Sequence, residues 1–290
     1  GIPEEKLDAY IAQYTGSPAG ARFELGRATG DYVPLKAVSG ATVTVIAENQ
    51  LVSRGSHAVA RQVGLLQAVA RPQGRFSDDG AVRDWDTLVR EGSVRRLTVS
   101  QAQVGARDTG EPFIDLWFGY LNAPAIGTSI LGAQGYRRLM DDLQPGEHAL
   151  FVIGSGSSSF KGSAFVRGGI YDRIQVSQDV DTHSFRDTDY LNLHGVQAVG
   201  APAYRESGIF ILRDEAFSSA YPWRLTFLAN LSSGGTETEF ANFDSEYWLP
   251  AHYLEGGRPT IEVPVPAWRK IWWAKRWEIA AFLALLGFTA

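Results

Sequence analysis

Ser39-Gly40-Ala41-Thr42-Val43-Thr44 reads SGATVT. It holds no acid, no base and no metal ligand. Small residues come first, then two hydroxyls around a valine. Such a stretch is either a plain strand entering a turn or a place where one hydroxyl is left open for modification. Its neighbours bear on the choice. Upstream, "ARFELG" (21–26) is a short strand candidate, and "YVPLKAVSGATVTVIAE" (32–48) runs through the motif. From about Glu48 to Val69 the pattern turns helical, with Leu51, Val52, Val59, Val63 and Leu66 as the apolar stripe. The expectation is therefore a strand or turn carrying SGATVT a few residues ahead of a helix.

The chemistry of the stretch narrows its use. A threonine hydroxyl is a weak nucleophile at its own pKa and needs an external base or metal. An enzyme that modifies it must approach the backbone closely, and Gly40 and Ala41 leave room for that. A phosphate attached there would meet free backbone N–H groups and the positive end of the following helix. The composition fits a threonine bearing a phosphate-linked group without naming the group.

Bulk properties exclude several classes. The 290 residues suffice for one large or two ordinary domains. The chain has no cysteine, so it holds no disulfide, thiolate nucleophile, iron–sulfur ligand or cysteine zinc site. A net charge of −5 with no basic block speaks against nucleic-acid binding. Eight tryptophans and fifteen phenylalanines call for a large aromatic core or interface. No Met opens the chain. At the other end "AWRKIWWAKRW" (267–277) sets tryptophans among basic residues, as a headgroup-level belt does, and an apolar run follows from Ile279. This is read as the start of a transmembrane helix.

Along the chain, residues 3–14 predict a helix opened by Pro3, Glu4 and Glu5. "ARPQGRFSDDG" (70–80) concentrates breakers and is placed at a domain boundary. Short helices are expected around 81–92 and 100–106, and a longer one over 127–147, ended by Pro145-Gly146. Strands are expected at "FIDLWFGYL" (113–121), "HALFVIG" (148–154), "GIFILR" (208–213), "RLTFLANL" (224–231) and "TIEVPVPAW" (260–268), with a loop, strand, turn and strand over 154–178. The fold class is α+β with mainly antiparallel strands after residue 80.

Other candidates fit bland roles better. "GSGSSSFKGS" (154–163) breaks the phosphate-loop spacing and reads as an inter-strand loop, although Lys161, Arg167 and Arg173 stand near it. The five histidines show no metal-site spacing. Asp187 and Asp189 read first as turn caps or partners of Arg186 or Arg205, and only then as a carboxylate pair. No Gly-x-Ser-x-Gly elbow occurs. No catalytic residue and no metal ligand is assigned.

SGATVT resembles the attachment motif of proteins that carry FMN as a phosphoester on threonine. With "SSSFKGSAFVRGGIYDRIQ", "SFRDTDY", "GAPAYRESGIFILR", "YPWRL", "YWLPAHYL" and "KRWEI", the whole chain resembles the NosR/NirI family, membrane flavoprotein regulators of nitrous-oxide respiration. The resemblance implies that Thr42 accepts a covalent FMN, that Ser39, Gly40, Ala41 and Thr44 line the attachment, and that Thr44 is the alternative acceptor. One departure is Lys36, where related motifs place an acid three residues before the serine. It implies the periplasmic side of the bacterial inner membrane, anchoring by a C-terminal helix, and iron–sulfur clusters only in a part beyond residue 290. The implied partners are a flavin transferase and nitrous-oxide reductase, to which members are thought to pass electrons. The implied division is residues 1–72, the C-terminal part of an FMN-binding domain; 73–265, a periplasmic α+β domain; and 266–290, an interfacial segment with a truncated span. Two other roles stay open: a non-redox scaffold or sensor for reductase maturation, and a flavin-carrying subunit of an ion-pumping complex.

Overall fold

The computed structural model describes residues 3–26, 32–38, 41–66, 71–77, 80–162, 169–231, 239–261, 273 and 275–278. Residues up to Arg258 form one compact unit and those from Pro259 a second. Most of the second, including the expected span from Ile279, lies outside the described residues, as do Ser39, Gly40 and residues 262–268 of the last expected strand. No helix among the described residues is long and apolar enough to cross a membrane.

The N-terminal segment folds as helix α1 (Glu4–Ile11), strands β1 (Arg22–Leu25) and β2 (Tyr32–Leu35), and helix α2 (Thr42–Gln62). Pro3 and two glutamates open α1, as its sequence suggests. The two strands pair in parallel, Phe23 beside Val33 and Leu25 beside Leu35. A small core of Tyr10, Phe23, Leu25, Leu35, Val45 and Ile46 seals them against α2.

The remainder builds two antiparallel sheets. One runs in the order β11 (Glu239–Tyr247), β10 (Trp223–Leu231), β6 (Ile170–Gln178), β7 (Asp181–Arg186). The other runs β3 (Val94–Val99), β4 (Ile114–Tyr120), β5 (Glu147–Ser155), β9 (Glu206–Arg213), β8 (Tyr190–Leu191). Their aromatic faces meet: Phe118 of β4 lies 5.8 Å from Trp223 and 6.3 Å from Tyr247, and those two rings stack at 4.7 Å. Such ring pairs contribute beyond their buried area. Two further helices, α3 (Trp85–Glu91) and α4 (Pro124–Asp142), flank the second sheet's strands in sequence. Asp84 caps α3 by accepting from the Thr87 N–H, and Gly92 ends it in the left-handed region.

The mainly antiparallel α+β class is as expected. Four strands were not expected from the sequence: β3, β7, β8 and β11. The helix after SGATVT also begins earlier, at Thr42 instead of about Glu48, and ends at Gln62 instead of Val69.

The N-terminal segment is fastened to the four-stranded antiparallel sheet by polar contacts. Arg61 of α2 donates to Asp181 of β7 at 2.8 Å, Arg54 donates to His183 Nδ1 at 2.9 Å, and Asn242 of β11 donates to the Leu25 carbonyl at 2.8 Å. Gly26, with φ of +84°, lies directly against the Phe240 backbone, so any side chain there would collide with β11.

Candidate functional site

Thr42 is the first residue of α2 and is half-buried. Thr44, on the same turn, is exposed, and Ala41 between strand and helix is buried. The expected strand or turn ahead of a helix is therefore a strand-to-helix junction whose hydroxyls already belong to the helix. Ala41 accepts the first helical bond from the Val45 N–H at 3.0 Å. No side chain among the described residues caps this helix start. The N–H groups of Thr42, Val43 and Thr44 precede the first possible intrahelical acceptor, so they face outward at the positive end of the dipole.

The junction is held from both sides. Gln13 accepts from the Lys36 N–H at 2.7 Å and donates to the Lys36 carbonyl at 3.2 Å, which pins the end of β2. On the other side, Tyr10 donates to the Val45 carbonyl at 3.0 Å, and its hydroxyl lies 2.9 Å from that of Tyr14. Tyr14 donates to Asn49 Oδ1 at 3.1 Å, and Ser53 reaches the same oxygen at 3.3 Å. Burial, followed by the pairing with Tyr14, raises the Tyr10 hydroxyl far above the ordinary phenol range. Burial also pushes Tyr14 up to about 12. Both stay neutral hydrogen-bonding groups and work as struts under the first two turns of α2. Lys36, where related motifs carry an acid, is exposed at the mouth of the junction.

The structure disperses the other sequence candidates. Asp187 to Asp189 form a short 3₁₀ turn, and Asp189 accepts from the Arg186 N–H at 2.8 Å. The charge partner of Asp189 is Arg213; Arg205 pairs with Glu111 instead, at 3.0 Å. Lys161 donates to the Tyr190 hydroxyl at 2.9 Å, and Arg173 to Asn230 at 2.9 Å, so neither joins Thr42. Arg167 lies outside the described residues.

What sequence spacing did not reveal is a polar cluster under α2. His57, Arg54 and Arg61 face Asp181 and His183. Burial alone raises Asp181, and its contacts with His57 and Arg61 outweigh that, holding the carboxyl at about 2. Arg61 is the close partner, since His57 Nδ1 stands 3.9 Å away, too far for a direct hydrogen bond. Burial pushes His183 down to about 4, so its Nδ1 accepts from Arg54. The helical spacing of residues 54, 57 and 61 placed them on one face, but only the fold supplied what they face.

Two clefts open on α2. One is apolar, about 400 Å³, lined by Tyr14, Phe23, Val52, Val59 and Val63 among others. The other is polar, about 520 Å³, lined from α2 by Gln50 and Arg54 and otherwise by β7, the 3₁₀ turn and β9. Thr42 lines neither.

Comparison with known proteins gives one consistent answer. The chain is 39% identical over 314 aligned positions to the regulatory protein NosR of Pseudomonas aeruginosa and 37% identical to that of Stutzerimonas stutzeri, in both cases across 99% of its length. It belongs to the NosR/NirI family. Protein NirI of Paracoccus denitrificans is 26% identical, again over 99% of the chain. The chain spans 42–44% of the length of these relatives. No family model and no solved structure matches it.

Proposed function

We propose that this chain is the flavin-bearing portion of a NosR-type protein, with FMN joined by a phosphoester to Thr42. We further propose that it works on the periplasmic side of the bacterial inner membrane in support of nitrous-oxide reductase. The observation that carries the reading is the position of Thr42. It is the first residue of a 21-residue helix with no side-chain cap among the described residues. A phosphate on its hydroxyl falls where the Thr42, Val43 and Thr44 N–H groups and the helix dipole favour an anion. The residues present fit that group.

The protein's part in the chemistry is placement. Gln13 fixes the strand that delivers Ala41 to the junction, and Tyr10, Tyr14 and Asn49 fix the helix that follows it. Ala41 adds only a methyl group beside the acceptor, and half-burial of Thr42 against exposure of Thr44 sets the two hydroxyls in different surroundings. Bound FMN supplies one-electron exchange, and the surrounding dipoles tune it. Iron–sulfur clusters belong to the remainder of the full-length protein, since this chain has no cysteine.

The test is covalent labelling. The chain, with whatever precedes it in the full-length protein, is expressed with a flavin transferase and run on a denaturing gel under ultraviolet light. A fluorescent band lost in Thr42→Val is expected. A dark native band, or an equally bright variant, removes the reading; a label found on Thr44 by peptide mass moves only the site. The scaffold reading has one observation behind it, the apolar cleft with exposed Val59, Val63 and Leu65. It gains if Thr42→Val cells keep full nitrous-oxide reduction.

A further inference from the structure

The polar cleft beside α2 is not used by the flavin reading, and its construction is specific. At about 520 Å³ it falls within the ~300–1,000 Å³ range of small-molecule sites. It lies where two strands end without a neighbour. β7 is the edge of its sheet, and β8 pairs only with Ile209 and Phe210, so Ile211, Leu212 and Arg213 of β9 have no partner strand on that side. Phe185 and Leu212, both buried, contribute apolar lining.

The charges are uneven. Arg213 is neutralised by Glu147 and Asp189. Arg54 and Arg186 are both exposed, and among the described residues neither has a carboxylate ion pair. The close contact of Arg54 is a neutral imidazole, that of His183, whose own nearby carboxylate is Asp214 at 3.5 Å. One helical turn before Arg54, the Gln50 Nε2 amide is buried with no hydrogen-bond partner among the described residues. A buried donor without an acceptor costs free energy comparable to a lost hydrogen bond. Solvated surface arginines would explain the two guanidiniums alone. They do not explain an unpaired, buried amide donor on a residue that lines the same cavity.

We propose that this cleft binds a small organic anion, a phosphate monoester or a carboxylate. Arg54 and Arg186 meet its charge, the Gln50 amide turns into the cleft to donate to a further oxygen, and Phe185 and Leu212 pack on its carbon skeleton. Guanidinium forks suit both oxyanions, and Thr188 at the rim adds a hydroxyl.

Calorimetric titration of the 290-residue chain at low salt, with ribose 5-phosphate and separately with citrate, tests this. Saturable one-site binding of at least one probe is expected. Binding of the phosphate ester alone identifies a phosphate ligand, and binding of citrate alone a carboxylate. Arg54→Gln and Arg186→Gln each weaken binding about tenfold, and the double variant more. Arg54→Lys, which keeps the charge and loses the fork, falls between. Gln50→Leu weakens binding severalfold with the thermal midpoint held or raised, because it removes an unpaired donor. Thr42→Val binds as the native chain does, which separates this site from the flavin attachment. The proposal is overturned if neither probe saturates the native chain, or if the folded double variant binds as tightly as the native protein.

Discussion

The two cores of the larger unit are built on different principles. Between the two antiparallel sheets the contacts are aromatic and buried: Phe118, Trp223 and Tyr247 interlock, and Phe217, His148 and Tyr120 continue the packing. Around α2 the apolar core is small, and the helix is held to β7 by Arg61 and Arg54 and to its own base by tyrosine hydroxyls. The first arrangement draws its strength from area and close packing. The second draws it from directional bonds whose net value is modest. The element carrying the proposed modification and both clefts is thus the one that can open without dismantling the sheets.

The largest expected effect lies in the aromatic core. Trp223→Ala leaves a cavity between the sheets and lowers unfolding free energy by about 4 kcal/mol in denaturant titration. A cost under about 1 kcal/mol would show that the sheets are not closely packed there.

Next comes pH. His148 and His183 are both pushed down to about 4, mainly by burial, against an ordinary value of about 6.5. The unfolded chain therefore binds more protons between these limits. Stability is complete above about pH 6.5 and falls as pH drops toward 4, by on the order of 2 kcal/mol for each histidine. Thermal midpoints measured across that window check it, and a flat profile refutes the burial of both rings. His148 belongs to the aromatic core and His183 to the polar interface, so His183→Gln removes only the second contribution.

A smaller effect separates the regions directly. Asp181→Ala strips Arg61 of its partner and is expected to cost about 1–2 kcal/mol. Amide exchange should quicken in α2 and stay unchanged in β4 and β5. Equal acceleration in both would mean that the unit opens as one. Smallest is Tyr10→Phe, which unpairs the Val45 carbonyl contact and the Tyr14 hydroxyl for about 1 kcal/mol, read from urea midpoints.

The missed elements share a cause. β3, β7, β8 and β11 all lie at sheet edges. An edge strand meets a neighbour on one side only, so "DTHSFR" and "EFANFDSEY" carry polar residues that mask the period of two. The central strands β4, β5, β9 and β10, rich in Leu, Ile, Phe and Val, were legible without the structure. The early start of α2 has a different origin. Thr42, Val43, Thr44, Val45 and Ile46 are all β-branched and favour a strand locally. Full burial of Val45 and Ile46 against Tyr10, Phe23 and Leu25 overrides that preference.

From residues alone came the α+β class, the central strands, the family resemblance and the motif around Thr42, because apolar period and short motifs are local properties of a chain. Only the tertiary structure decided that Thr42 opens a helix, that Arg213 and not Arg205 serves Asp189, and that Gln50, Arg54 and Arg186 share one cleft. Those facts depend on groups distant in sequence meeting in space, and no local pattern encodes such a meeting.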